Sequence, residues 1–119
     1  MTDERPTADP EIVDVADRHR YELHLDGTTA GFAEYALRAD RHGDGPTIAF
    51  VHTVVEDAYS GRGLAGRIAR AALDDARARG LAVLPFCPFI KGWIAKHPEY
   101  VDLVPVARRE QFDLASVAG

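Results

Sequence analysis

Three places in the sequence carry residue types and spacings that can do chemistry. The first is Tyr59-Ser60-Gly61-Arg62-Gly63-Leu64-Ala65-Gly66, which lies between a β-branched run and an amphipathic run. Where a strand hands over to a helix, free backbone N–H groups converge and the helix dipole is positive. Glycines let the backbone approach a ligand, so such a turn cradles a phosphate or pyrophosphate without a cationic side chain. It serves equally as a tight turn that uses glycine for geometry. A Walker loop is excluded, because no Gly-Lys-Ser/Thr ends the stretch. The dinucleotide pattern GxGxxG is approached by GRGLAG, but this turn follows a fourth strand rather than a first. The second place is His52, the one titratable side chain of residues 47–55. An imidazole suits general-base work near neutral pH; the alternatives are a hydrogen-bonded core histidine or one facing solvent. The third is Cys87, set between Phe86 and Pro88 at the end of one element and the start of the next. A thiol before a helix N-terminus is poised to ionise. It can act as a nucleophile, act as a proton donor, or simply fill the junction as a small hydrophobe.

The elements that must position these groups follow from periodicity. Residues 11–17 and 20–25 alternate around Ile12, Val13, Val15 and then Tyr21, Leu23, Leu25, which predicts two strands. Asp26-Gly27 is a hairpin signal, and a third strand is predicted over 29–38. Residues 47–55, TIAFVHTVV, read as a central strand buried on both faces. From 63 to 79 the period changes: Leu64, Ile68, Ala72 and Ala76 recur every fourth residue, with an Asp75–Arg79 pair near a stop at Gly80. Residues 81–86 predict another buried strand, completing a βαβ-like unit with parallel pairing. Pro88 opens a helix over 89–96, whose Phe89, Ile90, Trp93 and Ile94 read as core, and Pro98 closes it. Residues 101–106 are expected to form a last edge strand, with Tyr100 tucked beneath the sheet. The fold class is therefore α/β with a mixed α+β character. A loose tail over 1–10, one domain over 11–106 and a C-terminal extension over 107–119 are expected, with Phe112 and Leu114 as its docking residues.

Composition narrows the function. The 119 residues carry a formal net charge of -5 and no block of basic residues, which disfavours nucleic acid as a partner. One cysteine excludes an internal disulfide and fits a reducing compartment. No leader pattern and no long apolar run is seen, so a cytoplasmic chain without a membrane partner is expected. His19, His24 and His42 have no partners at ligand spacing, and no metal is expected. Lys91, Lys96 and His97 either reach an anionic ligand or form a solvated helix face.

Residues 55–65, VEDAYSGRGLA, resemble the acetyl-CoA-binding motif of the GNAT superfamily, Arg/Gln-x-x-Gly-x-Gly/Ala. With His52-Thr53, Pro85-Phe86-Cys87-Pro88-Phe89 and Lys96-His97-Pro98-Glu99-Tyr100, the chain looks like the small, minimal GNAT-like N-acetyltransferase family, over roughly 13–104. The resemblance implies a mixed β-sheet flanked by helices, with coenzyme A wedged in a cleft between two splayed parallel strands. It implies acetyl-CoA as cosubstrate and a small-molecule or peptidic amine as acceptor. The pyrophosphate would rest on the backbone of Arg62, Gly63, Leu64, Ala65 and Gly66, and the pantetheine arm would pair with the backbone of Val54 and Val55. A backbone N–H of that strand would stabilise the oxyanion, leaving His52 and Cys87 as catalytic candidates. The chain departs from the superfamily in three ways. Ser60 replaces the usual Arg or Gln, residues 47–54 hold no Asp or Glu, and the tyrosine that protonates the departing thiolate has no counterpart. Those departures motivate the alternative of a CoA-binding or interaction module with a degenerate active site.

Overall fold

The computed structural model describes residues 10–25, 27–39, 45–59, 61 and 63–115. The expected tail over 1–10 therefore lies outside the described residues except for Pro10, as do Ser60 and Arg62. Five strands form one sheet in chain order: β1 (Glu11–Val15), β2 (Arg20–Leu25), β3 (Thr28–Arg38), β4 (Thr47–Val55) and β5 (Ala82–Pro85). The first four are antiparallel, and β4 pairs with β5 in parallel across helix α1 (Leu64–Ala78). Helix α2 (Pro88–Lys96) follows, then a 3-10 segment at Pro98–Leu103. The first predicted strand stops at Val15, and a 3-10 turn occupies Ala16–Arg18.

Helix α1 covers one face of the sheet. Leu64, Ile68, Ala69, Ala72, Leu73 and Ala76 are all buried, in one core cluster with Leu23, Ala33 and Phe50. The C-terminal end of α1 is tied to the strands by polar contacts. Tyr21 donates to Asp75 at 2.5 Å, Tyr35 donates to Asp14 at 2.5 Å, and Arg79 reaches both carboxylates at 3.2–3.3 Å. Burial and the bond to Asp14 push the Tyr35 phenol up to about 12 from 10.0. A phenol whose folded pKa is raised contributes stability that is intact below pH 10 and is lost as pH rises toward 12. Urea titrations of Tyr35→Phe should accordingly show a flatter loss of stability between pH 10 and 12 than the parent; an equal slope in both would sink this assignment.

Two expectations about the elements are corrected. Residues 101–106 do not form a strand: Val104 N–H bonds to the Val101 carbonyl, and the segment coils as a 3-10 turn. Its apolar residues still go inward, because Val101 and Val104 are fully buried. Arg77 fixes the turn by pairing with Asp102 at 2.7 Å and donating to the Glu99 carbonyl at 3.0 Å. Nor is β4 buried on both faces along its length. Residues 47–50 are buried, whereas Val51 and His52 are exposed. In α2, Ile90 and Ile94 are core, while Phe89 is 39% exposed. Tyr100 is buried against α1, where it donates to Asp74 at 2.7 Å. Phe112 and Leu114 are both buried, so the extension docks at least as far as Leu114.

Candidate functional site

The pairing of β4 creates the site. Its first four residues, 47–50, pair with β5, ending at Phe50 opposite Pro85, and the Cys87 N–H closes that end by bonding to the Phe50 carbonyl at 2.8 Å. Among the described residues, 51–55 have no partner strand on that side, because β5 ends at Pro85 and the chain turns into α2 at Pro88, which leaves β4 with an open edge beyond Phe50. On the other side β4 stays paired with β3, but Tyr35 faces Phe50 and Glu34 faces His52, leaving Val51 as a bulge. In an antiparallel ladder, residues turn their backbone groups alternately toward and away from the partner. Glu56 N–H bonds to the Ala30 carbonyl at 2.8 Å, so Val54 turns its groups to β3 while Thr53 and Val55 turn theirs to the open edge.

Gly31 is required for this close approach. A Cβ there would lie 2.7 Å from the Val54 carbonyl oxygen, 3.1 Å from Val55 Cγ2 and 3.2 Å from Ile68 Cδ1. Gly31→Ala should cost about 1–3 kcal/mol by overpacking. Chemical denaturation would register that loss, and a change below about 0.5 kcal/mol would show that β4 yields freely there.

At the start of α1, Gly63 caps the helix with φ 73°, a left-handed conformation that glycine adopts without strain. Gly61 also has positive φ, 81°. No side chain caps the helix, so the first-turn N–H groups of Leu64, Ala65 and Gly66 point out of its start. A Cβ on Gly61 or Gly63 would meet nothing within 4 Å, so both backbones border open space. Gly66 belongs to the helix itself, where a Cβ would come 3.4 Å from Trp93 Nε1 of α2.

The two catalytic candidates do not meet. Cys87 is 2% exposed where the β4–β5 pairing ends, and its Sγ is 3.3 Å from Thr53 Oγ1. His52 occupies the next position of β4 and therefore projects from the opposite face of the sheet, where it is exposed. Its ring lies 6.4 Å from Phe32, edge to face. Glu34 stands directly across from it on β3, with Arg20 next in the same row on β2. On this face Arg20 pairs with Glu22 at 2.7 Å and lies 4.2 Å over the Phe32 ring. The bond from His24, and then Arg20, hold the buried Glu22 carboxyl below its usual range. A groove of about 380 Å³ runs beside the bulge, bordered by His19, Glu34, Ala36, Leu37 and Val51.

Sequence reasoning passed over Thr53, Glu34 and Gly31. Thr53 lay within the His52-Thr53 motif, whereas nothing local marked Glu34. Of the cations on and after α2, Lys91 pairs with Asp113 at 3.6 Å, and His97 stacks on Trp93 at 3.8 Å. Among the described residues no group of three or more His, Cys, Asp or Glu is placed to hold a metal ion. No described helix is long and apolar enough to cross a membrane.

Residues 20–103, which include every described element of this site, match the model of the GCN5-related N-acetyl-transferase family. The chain belongs to the GCN5-related N-acetyltransferases. A search of curated proteins finds no match. The fold is similar to that of a ribosomal-protein-alanine N-acetyltransferase from Brucella melitensis biovar Abortus 2308, with a TM-score of 0.52 and 16% identity. That alignment covers 72% of this chain and 62% of the other. Aminoglycoside N-acetyltransferase AAC(6')-Iy, in complex with CoA, aligns with a TM-score of 0.47 and 18% identity over 68% of this chain and 57% of that one. This chain thus spans less than two thirds of either structural relative. The mixed five-stranded sheet with flanking helices is the architecture of the family.

Proposed function

We propose that this GCN5-related acetyltransferase moves an acetyl group from acetyl-CoA to a small or peptidic amine. The observation that carries the reading is the juxtaposition of an uncapped helix start with the unpaired edge of β4. The helix start offers the N–H groups of Gly63, Leu64, Ala65 and Gly66 to a pyrophosphate, a fit that needs no cationic side chain. Arg62, proposed from its motif position, would extend that cradle. The open edge offers the Thr53 and Val55 backbones, with Val54 between them, to the amides of a pantetheine arm. One outward N–H there is suited to an oxyanion.

The acceptor, by this reading, comes from the opposite face, where His52 takes the proton of the incoming ammonium beside Glu34. Nitrogen attacks the thioester carbon, the tetrahedral adduct collapses, and the C–S bond breaks. Cys87 supplies the proton that the departing CoA thiolate requires, and the proton released from nitrogen restores the balance. The acceptor's amine class is supported by the Brucella neighbour, whose name specifies an alanine N-acetyltransferase. An unpaired buried thiol suits a reducing compartment, and we place the enzyme in the cytoplasm. The test is incubation with acetyl-CoA and a panel of polyamines, lysine peptides, N-terminal alanine peptides and aminoglycosides, read by mass spectrometry. Acetylated product supports the enzyme. Saturable CoA binding with no product across the panel favours a second reading, a CoA-binding module with a degenerate site, motivated by the separation of His52 from Cys87 and the lack of a carboxylate on β4.

A further inference from the structure

The sequence singles out His52 of the His52-Thr53 pair, yet Thr53 is the one that touches Cys87. Thr53 Oγ1 and Cys87 Sγ are 3.3 Å apart, just beyond the end of the β4–β5 pairing. The sulfur is otherwise enclosed, because Cys87 is 2% exposed. Lys91, one turn along α2, is turned to Asp113. A thiol is a weak hydrogen-bonding group, so this contact adds little to folding, and a valine would fill the same half-buried volume. A hydroxyl matters more to an ionised sulfur. It has both a proton to give and lone pairs to offer, so it accepts from S–H and, once its O–H has rotated, donates to S⁻.

We propose that Thr53 is the positioning residue for Cys87, its hydroxyl holding Sγ in place where the β4–β5 pairing ends and stabilising the thiolate formed when Cys87 gives its proton to the leaving sulfur. This rests on the acetyltransferase reading above. In the resting site the Cys87 S–H donates to Oγ1. When that proton passes to the CoA thiolate, the Thr53 O–H rotates and donates to Cys87 S⁻ instead. The proton leaving the acetylated nitrogen then returns Cys87 to the thiol, and Thr53 is unchanged at the end of the cycle. Because Thr53 also turns its backbone groups to the open edge, one residue sets both the path of the pantetheine arm and the sulfur beside its end.

The test follows alkylation of Cys87 by iodoacetamide, with mass spectrometry as readout, in the parent, Thr53→Val, Thr53→Ala and Thr53→Ser. Loss of the hydroxyl should slow alkylation by about tenfold or more, the scale of one hydrogen bond to a charged group. Thr53→Ser should stay within about threefold of the parent, because it restores the hydroxyl. Val and Ala variants that alkylate as fast as the parent would overturn the proposal, as would a Ser variant as slow as Val. Thr53→Ala repeats the deletion with less bulk, so one variant that fails to fold leaves the other informative. Calorimetry with acetyl-CoA on the parent separates the two ideas. Absence of binding would overturn the acetyltransferase reading, whereas the alkylation rates decide the role of Thr53.

Discussion

Gly63→Glu is expected to weaken acetyl-CoA binding by at least about 100-fold in calorimetric titration, the loss of roughly three kcal/mol of backbone-to-pyrophosphate contact. The substitution acts in two ways. Residue 63 has φ 73°, so any side chain there adds about 1–2 kcal/mol of backbone strain. A Cβ at that point meets no protein atom within 4 Å, so the glutamate carboxylate would project into the space before the helix start. There it would repel a pyrophosphate and compete for the same N–H groups. Gly80→Glu supplies the control, because Gly80 has φ 70° and equally open surroundings at the other end of α1. It should lower the melting temperature about as much and leave acetyl-CoA affinity unchanged. Equal loss of binding in both variants would mean that stability, and not the turn, governs affinity.

The second large effect concerns turnover. His52→Ala and Cys87→Ala should each lower the rate of amine acetylation about 10²–10⁴-fold, the range for removing a general acid or base. Acetyl-CoA affinity should hold within a few-fold, since neither side chain belongs to the phosphate cradle. The two residues lie on opposite faces of β4 and share no contact, so their losses should multiply in the double variant. Single-turnover kinetics would show this directly. A double variant no slower than either single one would mean that the pair acts as one unit through a path the fold does not contain.

Much of this was legible in the chain. Leu64, Ile68, Ala72 and Ala76 announce α1 because a helix buries every third or fourth residue, and each of them is buried. Tyr21, Leu23 and Leu25 announce β2 through alternation, and Asp75–Arg79 forms as its spacing requires. The glycines of the turn were readable because only their backbone freedom suits a strand-to-helix corner, and Gly61 and Gly63 both take positive φ. What escaped depends on neighbours in space. The bulge at Val51 changes which side chains share a face, and a bulge is a property of two strands. Without it, TIAFVHTVV looks like a uniformly buried strand, since exposure of Val51 and His52 reflects what does not cover them. Glu34 gained its place opposite His52 from register alone. Residues 101–106 misled because Val101, Leu103 and Val104 are apolar in either conformation; the choice fell to short-range bonds and to Arg77, which arrives from α1.

The most direct measurement is an amide-resolved NMR titration of the isotopically labelled protein with acetyl-CoA. The account predicts saturable shifts concentrated at Gly61, Gly63, Leu64, Ala65 and Gly66, joined by the outward-facing amides of Thr53 and Val55, with Val54 moving less. No saturable shift at millimolar ligand, or shifts centred elsewhere on the sheet, would contradict the claim that the start of α1 and the open edge of β4 hold coenzyme A.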